Sequence, residues 1–219
     1  MCGRYTVVSP ASTFEAHFEA LFSTPPAPRY NAAPSQRLPV ITADAPDRIQ
    51  AFEWGLLPAW SRDPKAGPKP INARAETLAE KPSFRQLLLR RRCLVPADSF
   101  YEWQPTPTGK VPHRILRPDE GPFAFAGLWD EWTDRTTGEV RPTFTIITTA
   151  ANRLMAPLHE RMPVILPTRA AERAWLATGD AALLRPLPDE WLRAYPISTL
   201  VNSPANDTPQ VLEPLEAAV

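Results

Sequence analysis

Cysteine is scarce in this sequence. The 219 residues include two, Cys2 and Cys93, too few for a disulfide framework or a four-sulfur zinc site. Long apolar runs are missing too. None approaches the roughly 20 residues that span a bilayer, and the opening Met-Cys-Gly-Arg lacks the hydrophobic core of a secretory signal, so a reducing cytoplasm is the expected setting and no membrane the expected partner. Net charge is also absent: 24 basic residues balance 24 acidic ones. That excludes coating of nucleic acid by bulk attraction and leaves room for a local basic cleft. Glycine is sparse at 8 residues, and none falls in a GxGxxG or GxxxxGK loop. With no metal-ligand spacing either, no cofactor and no metal are expected.

Proline is abundant, at 28 residues, more than twice the average share of about 5%. The prolines are dispersed among apolar runs, a pattern of many short elements joined by stiff loops and not of disorder. Arginine far outnumbers lysine, which occurs only at Lys65, Lys69, Lys81 and Lys110. Forked guanidinium groups suit phosphate, although an Ala- and Pro-rich chain also reads as codon bias. The length fits one large domain or two small ones; with no linker or repeat, a single domain over 1–219 is expected.

Strands are expected at Arg4–Val8, Leu38–Thr42, Arg48–Trp54, Cys93–Val95, Ser99–Trp103, His113–Leu116, Phe123–Leu128, Thr143–Thr149 and Ala194–Ser198. A first helix is expected from the Ser12/Glu15 capping box, with Phe14, Phe18, Leu21 and Phe22 on one face. Further helices are expected at Ser83–Arg92, at Ala151–Leu158 and at Thr168–Leu176, the last capped by Thr168. Arg90, Arg91 and Arg92 read as solvated cations at a helix C-terminus, and 55–75 as loop. Short strands interrupted by helices, without a βαβ rhythm, predict an α+β fold with a mainly antiparallel, barrel-like β core and several short helices around it. Trp54 and Trp129 are expected in the core.

Cys2 carries the distinctive chemistry. Loss of Met1 would leave a terminal cysteine, whose amine (pKa about 7.7–8.0) and thiol (about 8.5) sit on adjacent carbons. Such an aminothiol condenses with an aldehyde to an imine and then closes a five-membered thiazolidine. On Cys2 alone, a small residue at the start of a strand is the commoner reading. Other segments bear on it. Pro70-Ile71-Asn72-Ala73-Arg74-Ala75-Glu76-Thr77 puts polar groups in a tight turn, Phe100-Tyr101-Glu102-Trp103 sets a carboxylate in an aromatic strand, and Leu158-His159-Glu160-Arg161-Met162-Pro163 places a histidine before a strand.

Together with Met1-Cys2-Gly3-Arg4-Tyr5, Arg29-Tyr30-Asn31-Ala32-Ala33-Pro34, Trp54-Gly55-Leu56-Leu57-Pro58, Val201-Asn202 and Asn206-Asp207, these segments resemble the SOS response-associated peptidase (SRAP) family along nearly the whole chain. The resemblance implies autoproteolytic removal of Met1, then a thiazolidine crosslink between Cys2 and the aldehyde of an abasic site in single-stranded DNA, which shields the lesion. By motif it implies Cys2, Asn72, Glu102 and His159 as the catalytic set. Glu102 would move protons with a carboxyl pKa raised by its aromatic setting, His159 would assist imine formation, and Asn72 would hydrogen-bond substrate or Cys2. Arg4, Arg74, Arg161 and Arg85 are the phosphate candidates, and Trp60 and Trp103 the base-stacking ones. Pro39 or Leu57 could form an apolar wedge. His17 and His113 match no motif. A bacterial cytoplasmic monomer is expected. Two alternatives stay open: a hydrolase using Cys2 as an N-terminal nucleophile, and a noncatalytic single-strand binding module.

Overall fold

The Val-, Ile- and Phe-rich runs between Arg37 and Ala150 pair into a closed ring. The structure, a computed structural model, describes residues 2–63, 67 and 69–215. In chain order it places β1 (Tyr5–Val7), α1 (Ala11–Phe18), β2 (Leu21–Phe22), β3 (Arg29–Ala32), β4 (Arg37–Thr42), β5 (Ala45–Trp54) and β6 (Asn72–Arg74). There follow α2 (Pro82–Arg90), β7 (Arg92–Ala97), β8 (Ser99–Thr106), β9 (Gly109–Leu116), β10 (Phe123–Thr133) and β11 (Val140–Ala150). The chain continues through β12 (Arg161–Pro163), β13 (Ile165–Leu166), α3 (Arg169–Thr178) and β14 (Arg193–Pro196).

β11, β10, β7, β4 and β5 pair antiparallel in that order. β5 then meets β11 in parallel, Glu53 opposite Thr143 and Trp54 opposite Phe144, which closes a five-stranded barrel and leaves those strands no open edge. Gly127 is needed where β7, β10 and β11 converge: a Cβ there would lie 2.8 Å from Cys93 Sγ and 3.0 Å from the Thr145 carbonyl oxygen. A second, antiparallel sheet runs β14-β9-β8-β1-β3. Tyr5 of β1 ties it to the barrel, its ring edge-on to Trp54 at 5.1 Å and to Phe125 at 5.7 Å. The α+β fold with a barrel-like core is thus as expected, and Trp54 and Trp129 are buried in it.

Several local expectations fail. Ser12 does not cap α1: the helix starts after Pro10, whose carbonyl accepts from Thr13 and Phe14. It also stops at Phe18, because Glu19 turns left-handed at φ 53°. Leu21 and Phe22 leave the helical face and pair in parallel with β5, and Glu15 accepts the Phe22 N–H instead of closing a capping box. Residues 151–158 form no helix, 153–158 being turns; the Asn152 side chain accepts the Met155 N–H and the Ala156 N–H bonds the Asn152 carbonyl. Within the expected loop 55–75, Asn72–Arg74 is a strand beside β11.

Arg92 is the largest departure. It is buried, not solvated, and its guanidinium donates to the carbonyls of Leu88 and Leu89 at the end of α2 and of Trp175, Leu176 and Ala177 at the end of α3. One side chain thus satisfies the orphan carbonyls of two helices. α3 itself is as expected, with the Thr168 hydroxyl accepting the Ala171 N–H.

Candidate active site beside the first strand

β1 runs antiparallel to β8, with Tyr5 opposite Phe100 and Thr6 opposite Ser99. Extending that ladder toward the N-terminus sets Arg4 against Tyr101, whose N–H donates to the Arg4 carbonyl at 3.1 Å, and brings Cys2 toward Glu102. From the barrel side, β6 runs parallel to β11 with Asn72 opposite Ile146. The Asn72 side-chain amide donates to the Cys2 carbonyl at 2.9 Å. The site lies where the second sheet meets the barrel.

Cys2 is fully buried. Burial, seconded by the Glu102 charge, pushes its thiol far above the ordinary value, so the sulfur stays a neutral thiol. Glu102 is 3% exposed, and burial raises its carboxyl pKa. Burial also lowers the pKa of His159. The His159 ring has a fixed sense: Nδ1 accepts the Arg161 N–H at 2.9 Å, which leaves Nε2 to carry the proton of the neutral ring. The charge of Lys110, on β9, acts on both Glu102 and His159, so the two groups share one electrostatic neighbourhood. Asn72 Oδ1 is buried and has no hydrogen-bond partner among the described residues. The site therefore sets the buried Cys2 thiol near a buried carboxyl of raised pKa and an imidazole of lowered pKa.

The arginine and tryptophan candidates divide. Arg74 is exposed at the end of β6. Arg161, at the start of β12, donates to both Glu76 oxygens at 2.7 and 2.8 Å and to the Thr148 carbonyl at 2.7 Å. Arg4 is largely engaged within the protein, donating to Asn31 Oδ1 at 2.7 Å and to the carbonyls of Val201 and Asn202. Arg85 is exposed on α2, which packs against β7 and β10. Trp103 is half-buried next to Glu102, and its indole N–H donates to Asn202 Oδ1 at 2.7 Å. Trp60, 69% exposed, lines a separate apolar groove of 690 Å³ with Leu56, Pro58 and Phe84. Pro39 and Leu57, the wedge candidates, are both buried.

The chain matches the family described as SOS response associated peptidase (SRAP) over residues 1–204. It is 45% identical to the abasic site processing protein YoqW of Bacillus subtilis, over 97% of this chain and 99% of that one. The chain belongs to the SRAP family. It is also 33% identical to the abasic site processing protein HMCES of Xenopus tropicalis, covering 84% of this chain and 65% of that protein. A crystal structure of a Bacteroides thetaiotaomicron protein superposes with a TM-score of 0.87 at 33% identity, over 98% of this chain and all of the other.

In this SRAP chain two of the quoted motifs serve the frame. The Asn31 amide donates to the carbonyls of Val201, Ser203 and Asn206, and the Asp207 carboxylate accepts the N–H groups of Tyr30 and Asn31 and pairs with Arg29. They lash β3 to the late turns at 199–207, and Asn202 in those turns orients Trp103. Sequence reading assigned no role to Lys110 or Glu76. Glu76 stood inside a quoted motif and its polarity was the available signal; Lys110 had none, because its relation to Glu102 arises from the β8–β9 pairing.

Proposed function

We propose that this protein captures abasic sites in single-stranded DNA by forming a thiazolidine between the lesion's aldehyde and the N-terminal aminothiol of Cys2. Met1, outside the described residues, is first removed by hydrolysis of its peptide bond, which frees the Cys2 α-amine. The observation that carries the reading is the fastening of Cys2: its carbonyl is held by Asn72, its thiol is buried and neutral, and Glu102 lies close enough to perturb it. The names of the relatives support abasic-site processing as the task.

The chemistry follows from the protonation states. The amine adds to the aldehyde carbon, giving a carbinolamine. Its hydroxyl leaves as water with a proton from Glu102, whose raised pKa keeps a proton available, and an iminium remains. The thiol sulfur then bonds to the iminium carbon, the C=N electrons return to nitrogen, and the S–H proton passes to the Glu102 carboxylate. Aldehyde plus aminothiol thus gives thiazolidine plus water, with Glu102 restored. His159 Nε2–H donates a hydrogen bond to the sugar oxygen during ring opening. A thiol held as S–H lets the amine attack first, and the sulfur closes the ring only once an electrophilic iminium is formed.

The test mixes processed protein with a single-stranded oligonucleotide bearing an abasic site and resolves the products on a denaturing gel. A heat-stable adduct is expected, absent for Cys2→Ala and reduced to a reversible imine for Cys2→Ser. Adducts equally durable with Cys2→Ser would refute ring closure. Amide turnover without adduct would point to a hydrolase, and binding without adduct to a single-strand binding module.

A further inference from the structure

Two arginines flank the end of β11. Arg74 of β6 sits opposite Thr148, and Arg161 of β12 opposite Ala150. Glu76, two residues beyond Arg74 in the 3₁₀ turn Ala75–Thr77, places its carboxylate squarely on the Arg161 fork, with Oε1 on Nη1 at 2.7 Å and Oε2 on Nη2 at 2.8 Å. Its carboxyl pKa is lowered mainly by the Arg161 hydrogen bond and further by the charge of Arg74. Two oxygens on one guanidinium, with a second guanidinium nearby, is the arrangement a backbone phosphate adopts on arginine.

We infer that Glu76 is an internal phosphate mimic, which covers Arg161 in the free protein and is displaced by a DNA phosphate when a strand binds. The inference rests on the DNA-binding reading above and adds a residue that sets affinity and salt response. Two features make the carboxylate exchangeable. Glu76 is 51% exposed while Arg161 is 13% exposed, so one partner stays in solvent, where screening weakens its hold and an incoming anion can reach it. Glu76 rides on a single 3₁₀ turn, whereas Arg161 keeps a second hold through the Thr148 carbonyl and remains aimed when Glu76 leaves. A fixed orienting role for Glu76 predicts the opposite sign, because its loss would then loosen Arg161 and weaken binding.

The experiment titrates full-length wild type and Glu76→Gln with a fluorescent single-stranded oligonucleotide lacking any abasic site, at several salt concentrations. Glu76→Gln is expected to bind about three- to tenfold more tightly at low salt. Its log–log salt slope should be steeper by about 0.7, the share of one more phosphate neutralised. In an Arg161→Met background the gain should largely vanish, which separates action through Arg161 from a general loss of negative charge. A thermal melt checks that each variant is folded. Unchanged or weaker binding by folded Glu76→Gln, or a gain that survives undiminished in Arg161→Met, overturns the inference while leaving crosslinking intact. Wild type that neither binds the plain strand nor crosslinks the abasic one overturns the DNA reading, and this inference with it.

Discussion

Arg92 and Arg161 are the same side chain put to opposite uses. Arg92 is enclosed by the ends of α2 and α3 and donates only to backbone carbonyls. Those acceptors are dipoles fixed in the fold, so nothing outside the protein can replace them. Glycine at 179 completes the enclosure, with φ 68° and an added Cβ 2.8 Å from Arg92 Cδ. Arg161 instead pairs with a charge on a half-exposed side chain, a partner that an anion from solvent can replace by the inference above. The acceptor, more than the burial, separates a structural guanidinium from one free to exchange ligands.

The contrast breaks first at Arg92. Arg92→Met should cost about 2–4 kcal/mol, since several buried helix-end carbonyls lose their donor; urea or thermal unfolding reads it. If stability barely moved, the carbonyls would be satisfied by other means and the contrast would collapse. Arg161→Met should cost under about 1 kcal/mol in the same assay, yet weaken single-strand binding at low salt. An effect on folding as large as at Arg92 would make Arg161 structural as well. Glu102→Gln sharpens the comparison from the acidic side. Burial raises the Glu102 pKa, so the folded chain retains a proton that the unfolded chain releases. Wild-type stability should therefore fall as pH rises from the ordinary carboxyl range through the raised folded value, by at most about 1.4 kcal/mol per pH unit. The Gln variant should lack that slope and form adduct more slowly. Parallel stability curves for the two proteins would remove the raised carboxyl from the account.

The motif-bearing residues were legible early because their chemistry is local. A cysteine behind the initiator methionine, a glutamate between aromatics and a histidine ahead of a strand can each be read within five residues. Thr168 as a helix cap was legible for the same reason, its hydroxyl needing only the N–H three residues on. Ser12 and Glu15 carried an equally good local signal and lost to a tertiary one: Phe22 entered a strand and its N–H took the Glu15 carboxylate. Arg4 lies in a matched motif, yet its guanidinium is largely occupied by Asn31 and by carbonyls almost 200 residues away.

What the amino-acid order determined alone was the chemical inventory: a cysteine at the second position, strands and helices of roughly the right kind, and the family to which they belong. Only the folded chain decided which of its polar groups face each other. The parallel contact of β5 with β11 joins residues about 90 positions apart, and such pairings place Asn72 on the Cys2 carbonyl and Glu76 on Arg161. Hydrophobic periodicity records which face of a strand is buried, but it carries no label for the strand that will lie beside it. The partners of charged groups are set by that choice of neighbour.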